Sequence, residues 1–169
     1  FQAARQATAA APAAESTRRL NDEMADAFTG LYLAGGADNM RPLEALGLVY
    51  DFRELTPIGR RGDELIRNLV GRLVDVDLLD PAIELLTHQV DTRLQGAARA
   101  EAGLDLAIVH LLNRDPAKAI EALARTRQPM LAASIERRRM LVEARALAST
   151  GRTELAVELI GDDPSEAAR

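Results

Sequence analysis

Apolar residues recur along this chain at the three- and four-residue steps of a helix, and no stretch offers a strand. Leu20, Met24, Ala27, Phe28 and Leu31 mark one such stripe over 17–33, closed by Gly35, Gly36 and Asp38. Further helices are expected at about 40–50, 60–75, 81–93, 96–113, 116–127, 131–150 and 153–160, with breaks of only a few residues. Connections this short make neighbouring helices antiparallel. Two starts carry the same dipeptide, Asp80-Pro81 and Asp115-Pro116, each expected to set a capping Asp before a proline at the first helical position. Gly151 supplies the turn in the last pair.

The pattern repeats. Ala82-Ile83-Glu84-Leu85-Leu86, Ala119-Ile120-Glu121-Ala122-Leu123 and Ala156-Val157-Glu158-Leu159-Ile160 lie 37 residues apart in register. One more step back lands on Ala45-Leu46-Gly47-Leu48, a degenerate copy that keeps the Ala and loses the Glu. About twelve and nine residues before each Ala stand Val70 and Leu73, Ala107 and His110, Ala144 and Leu147, the first small or β-branched and the second larger. A helix pair cannot cover its own apolar face, so copies of this kind bury it against one another.

This pattern resembles a tetratricopeptide repeat over residues 60–161. Leu69 and Leu106 stand at that family's preceding Leu position, and Leu86, Leu123 and Ile160 at its late bulky position. The unit is 37 residues rather than roughly 34, Glu143 replaces Leu in the last copy, and the closing proline is missing. The resemblance implies an all-α fold: a right-handed α-solenoid of antiparallel helix pairs, three regular and one degenerate at the N-terminal side. It also implies that Ala82, Ala119, Ala156, Ala107 and Ala144 pack the repeats, and that the first helix of each pair lines a concave surface. The lining candidates are then Glu64, Arg67, Gly71 and Asp75; Glu101, Leu104, Ile108 and Leu111; Arg138, Leu141, Arg145 and Ala148. Such a groove suits an extended or helical peptide, with Leu104, Ile108 and Leu111 serving either as its apolar centre or simply as core. Ala-rich arrays similar to this one occur in long bacterial envelope proteins, which places the chain in the bacterial periplasm or cell envelope ahead of the cytoplasm.

Composition agrees with helices. Of 169 residues, 47% are apolar, enough for a core, and only 3% are aromatic. Residues 1–16 are too poor in large side chains to anchor one and read as a linker or loosely held helix. The helical-repeat domain is expected over 17–161, with a further helix starting in 162–169 of a longer parent. The net charge of −5 argues against a general nucleic-acid surface, and no apolar run approaches the roughly 20 residues that cross a bilayer. With no cysteine, disulfides and thiol catalysis are excluded.

Candidate chemistry is sparse. Glu136-Arg137-Arg138-Arg139 is the densest basic run; on a helix it fans around the circumference, as a phosphate or carboxylate site or, more simply, a solvated face. Gly59-Arg60-Arg61-Gly62 has the look of the loop with which KH domains clamp nucleic acid, but lacks flanking strands and serves equally as the lead into a helix. Tyr50, Asp51, Phe52 and Arg53 could plug a gap or anchor a partner. His88 and His110 are expected to be packed core histidines rather than bases or ligands. Ser16, Ser134, Ser149 and Ser165 have no nucleophile context, and Asp162, Asp163 and Glu166 lack a calcium-loop pattern. No metal, cofactor or catalytic group is expected. The expectation is a non-enzymatic scaffold that binds a protein or peptide, or spaces domains, with self-association possible at the ends of an excised array. The rivals are a helical accessory region of an enzyme and an arginine-dependent nucleic-acid adaptor.

Overall fold

The structure is a computed structural model, and it describes residues 22–36, 39–52 and 59–161 together with Glu15, Arg19 and Thr56. These residues are all helix and connection, with no strand among them. The expected linker apart from Glu15, the 162–169 helix start, Leu20, Asp38, Arg53, Ser16 and Ser165 lie outside the described residues. Helix α1 is described over 22–33, followed by α2 (Pro42–Asp51), α3 (Arg60–Asp75) and α4 (Leu79–His88). After α4 a π turn covers Gln89–Arg93, then come α5 (Gly96–Leu112), α6 (Pro116–Arg125), α7 (Ala133–Ser149) and α8 (Thr153–Gly161). Among the described residues, none of these helices is long and apolar enough to cross a membrane.

The chain forms two compact units, residues 1–72 and 73–169. In the first, the rings of Phe28 and Tyr32 stack at a tilt, 5.2 Å apart, and the Tyr32 hydroxyl donates to the carbonyl of Ala45 at 2.6 Å. Burial raises the Tyr32 phenol to about 12. Glu44 binds back to the Arg41 amide and guanidinium at the start of α2, while Arg72 donates to the Met40 carbonyl. The Gly59-Arg60-Arg61-Gly62 stretch leads into a helix: Gly59 holds a positive φ of 93° just before it, Arg60 opens α3, and Arg61 pairs with Asp26 at 3.2 Å.

In the second unit every helix from α4 to α8 packs on its chain neighbour, and α5 also packs on α7. The 37-residue period is a property of the backbone as well as of the letters. Asp77, Arg114 and Gly151 all hold positive φ, at 61°, 59° and 82°. On either side, the amides of Leu78, Asp115 and Arg152 donate to the carbonyls of Leu73, His110 and Leu147 at 2.8, 2.8 and 3.0 Å. This is the paired hydrogen-bond and left-handed turn of a Schellman helix end, made three times in register. The next helix then begins with the amides of Ala82, Ala119 and Ala156 on the carbonyls of Leu78, Asp115 and Arg152, at 3.2–3.3 Å. Ala45 does the same on Arg41, at 3.0 Å.

That register corrects one expectation. Asp115 caps α6 as anticipated, accepting from the Lys118 amide at 3.1 Å with Pro116 in the first turn. Asp80 does not cap α4, because the equivalent of Asp115 is Leu78, the N-cap two residues before Asp80, and Asp80 already lies inside the helix. The Asp80 carboxylate accepts instead from the side-chain amide of Asn113, at 3.0 Å.

Candidate functional site

Position nine before each repeat alanine is filled by Leu73, His110 and Leu147, and all three side chains are buried. His110 is therefore a titratable ring where the other two positions hold a buried leucine. It is 8% exposed, its Nδ1 is enclosed without a partner, and its Nε2 makes no hydrogen bond to the described residues either. Burial pushes its pKa below the ordinary histidine value, against the nearby Asp115 carboxylate, so the ring is neutral at pH 7.

The ring forms part of the wall of a cleft of about 270 Å³ between α4, α5 and α6. Ile83 from α4, Leu106 from α5 and Ala122 from α6 supply its apolar surface. Lys118, Glu121 and Arg125 reach it from one face of α6 at steps of three and four residues. The two cations are occupied: Lys118 Nζ pairs with Asp115 at 3.1 Å, and Arg125 pairs with Asp91 of the π turn at 3.4 Å. Glu121 has no ion pair or hydrogen bond with a described residue. Among the described residues, the free polar chemistry of the cleft is thus one carboxylate, one neutral imidazole and the hydroxyl of Thr87 from α4. Sequence reading singled out His110 only as packing; the signal it passed over was a histidine alternating with two leucines in the repeat register.

The anticipated groove residues separate. Glu64 and Arg67, on α3 in the first unit, are exposed, as is Asp75 at the start of the second. Leu104 is 1% exposed and is core rather than groove wall, because α5 is covered by both α6 and α7. Ile108 and Leu111 are half-buried. On α7, Arg138, Leu141, Arg145 and Ala148 share one face and are all exposed, and neither arginine pairs with a described residue. The packing alanines Ala82, Ala107, Ala119, Ala144 and Ala156 are all buried, at 0–4% exposure. Ala144 and Ala156 meet Leu147 in one cluster between α7 and α8, with Ile120 and Leu159 against it.

Arg139 departs from a solvated basic face. It is 8% exposed and inserts between helices, donating through Nη1 to the Ala100 carbonyl of α5 at 2.5 Å and through Nη2 to the Leu123 carbonyl of α6 at 2.6 Å. Both nitrogens also donate to Thr126 Oγ1 at 3.2 Å. Leu123 is in the last turn of α6, where carbonyls lack helical donors, so the guanidinium neutralises a helix end. Arg99 works similarly, donating to the Val90 and Arg125 carbonyls at 2.9 Å. His88 is exposed beside Thr92, not a core residue. Tyr50 and Phe52 are also exposed rather than plugging a gap. Among the described residues no group of three His, Asp or Glu side chains could hold a metal ion. No family model, curated protein or solved structure matches the chain.

Proposed function

We propose that the chain is a helical-repeat scaffold, a right-handed solenoid of antiparallel helix pairs of the tetratricopeptide kind, which presents a protein-binding surface and performs no chemistry itself. The observation that carries this reading is the 37-residue recurrence of a whole corner: the left-handed residue, the hydrogen bonds flanking it and the buried alanine that follows. Units that repeat backbone geometry rather than side-chain chemistry are built for stacking, and stacking produces extended surface. The face of α7 with Arg138, Leu141 and Arg145 is the binding surface in this reading, since two guanidinium groups with no partner among the described residues flank a leucine that is 44% exposed.

The test is a pull-down from extracts of the source cell, comparing the wild-type chain with the Arg138→Ala/Arg145→Ala double variant. A partner lost by the variant, with its helical circular dichroism and melting temperature unchanged, supports the surface. Equal capture by both proteins rejects it. Salt titration of the same binding separates the nucleic-acid reading, which predicts a steep fall in affinity with ionic strength.

A further inference from the structure

The cleft beside His110 stands apart from the α7 face, and its chemistry calls for a different occupant. A histidine buried where the other copies hold leucine gives up hydrogen bonds to water without regaining them in the protein, a cost of roughly 1–3 kcal/mol. Local rules of packing are broken in this way mainly at functional or strained sites, and the ring lines a cleft. Three further features constrain that ligand. The cleft's lysine and arginine already have carboxylate partners, so an anion finds no unclaimed positive charge. Its one unclaimed charge is the Glu121 carboxylate, which favours a cation able to donate hydrogen bonds. Beside these groups lie Ile83, Leu106 and Ala122, which favour a short hydrocarbon body.

We propose that this cleft binds a primary alkylammonium group, with its N–H bonds donated to Glu121 and to Nε2 of His110, the ring nitrogen that is not enclosed, and its carbon chain against Ile83, Leu106 and Ala122. The chemistry is shared by free alkylamines and by the lysine side chain of a peptide. The volume of about 270 Å³ accommodates an alkylammonium chain, and the open side of the cleft leaves room for a peptide to continue outside it. The inference is independent of the α7 surface, because none of these residues belongs to α7.

The experiment is an NMR titration of the full chain with n-butylammonium, following the ring signals of His110, which are distinguished from those of His88 by a His88→Gln variant. Saturable shifts are expected with Kd on the order of 1 mM, the range open to so small a ligand. Butanol, with the same body and no charge, binds about tenfold more weakly, and butyrate does not bind. Glu121→Gln weakens butylammonium about tenfold, the loss expected for one charge-assisted hydrogen bond. Glu84→Gln, at the same register on α4, leaves binding unchanged. His110→Leu, with the residue that stands at 73 and 147, is followed through the backbone amide signals of α4, α5 and α6; it abolishes binding and keeps the fold.

Nα-acetyl-lysine methylamide distinguishes the sources: tighter binding than butylammonium assigns the cleft to a peptide lysine, and equal or weaker binding to a free amine. Butyrate or butanol binding as well as butylammonium would overturn the proposal. So would an unaltered affinity in Glu121→Gln, or the absence of His110 shifts at tens of millimolar amine.

Discussion

Gly103 lies so close to Thr126 that a Cβ on the glycine would stand 2.0 Å from Thr126 Oγ1 and 2.5 Å from its Cβ. The threonine is fully buried and cannot give way, since its hydroxyl donates to the Ala122 carbonyl at 2.7 Å and accepts from Arg139. Gly103→Ala should therefore push α5 and the end of α6 apart, at a cost of at least about 1–3 kcal/mol of stability in urea denaturation. Adding Thr126→Gly should recover part of that loss. A Gly103→Ala protein as stable as wild type would show the contact to be looser than described.

Neighbouring arginines should behave as opposites. Arg139→Ala leaves the Leu123 carbonyl without its donor and should cost about 2–3 kcal/mol. Arg139→Lys should not restore it, because one ammonium cannot span the Ala100 and Leu123 carbonyls together. Arg138→Ala, at an exposed and unpaired site, should stay within about 0.5 kcal/mol. Thermal melts of the three variants decide between this arrangement and a solvated run of arginines.

His110 predicts a loss of stability in mild acid. Its folded pKa lies below the ordinary value near 6.5. The unfolded chain therefore takes up the proton first, and stability falls as pH drops below about 6.5 toward the folded pKa. Asp115, Lys118, Glu121 and Arg125 all face the ring; the two carboxylates oppose this shift and the two cations reinforce it. Unfolding free energies measured between pH 7.5 and 5 should decline for wild type and decline less for His110→Leu. The leucine variant should also be the more stable of the two at pH 7, by about 1 kcal/mol. Parallel pH profiles would show that the ring is already solvated.

Deleting residues 78–114 joins Asp77 to Asp115 and removes one whole period. Asp115 then follows Asp77 at the step that Leu78 holds in the intact chain, so the hydrogen bonds around the corner can re-form. The shortened chain should keep its helical content per residue and unfold cooperatively, with a smaller denaturant m-value. A non-cooperative, molten product would argue that the period is not a structural unit.

The helices and their register were legible because both rest on the spacing of many apolar residues, which averages over local exceptions. Ala82, Ala107, Ala119, Ala144 and Ala156 are all buried, and their burial was legible because a small side chain at one interval on an apolar helix stripe fits a crowded interior. What was not legible depends on single contacts between distant residues. Nothing in three successive arginines says that Arg139, and neither of its neighbours, meets Thr126 and the end of α6. The Asp80-Pro81 pair looks identical to Asp115-Pro116, yet the corner at Asp77 starts α4 two residues earlier and frees Asp80 for Asn113. Leu104 could be assigned to core or groove only once α5 was seen to be covered from two sides.

At the corners, two of the three left-handed residues are an aspartate and an arginine, in a conformation that ordinarily favours glycine. The bend is held by the amide bonds on its two sides, so it endures whatever side chain stands at its apex. Such a joint can be inherited while its spelling drifts. The recurrence in this chain is therefore read more surely from torsion angles compared at a fixed interval than from any diagnostic residue.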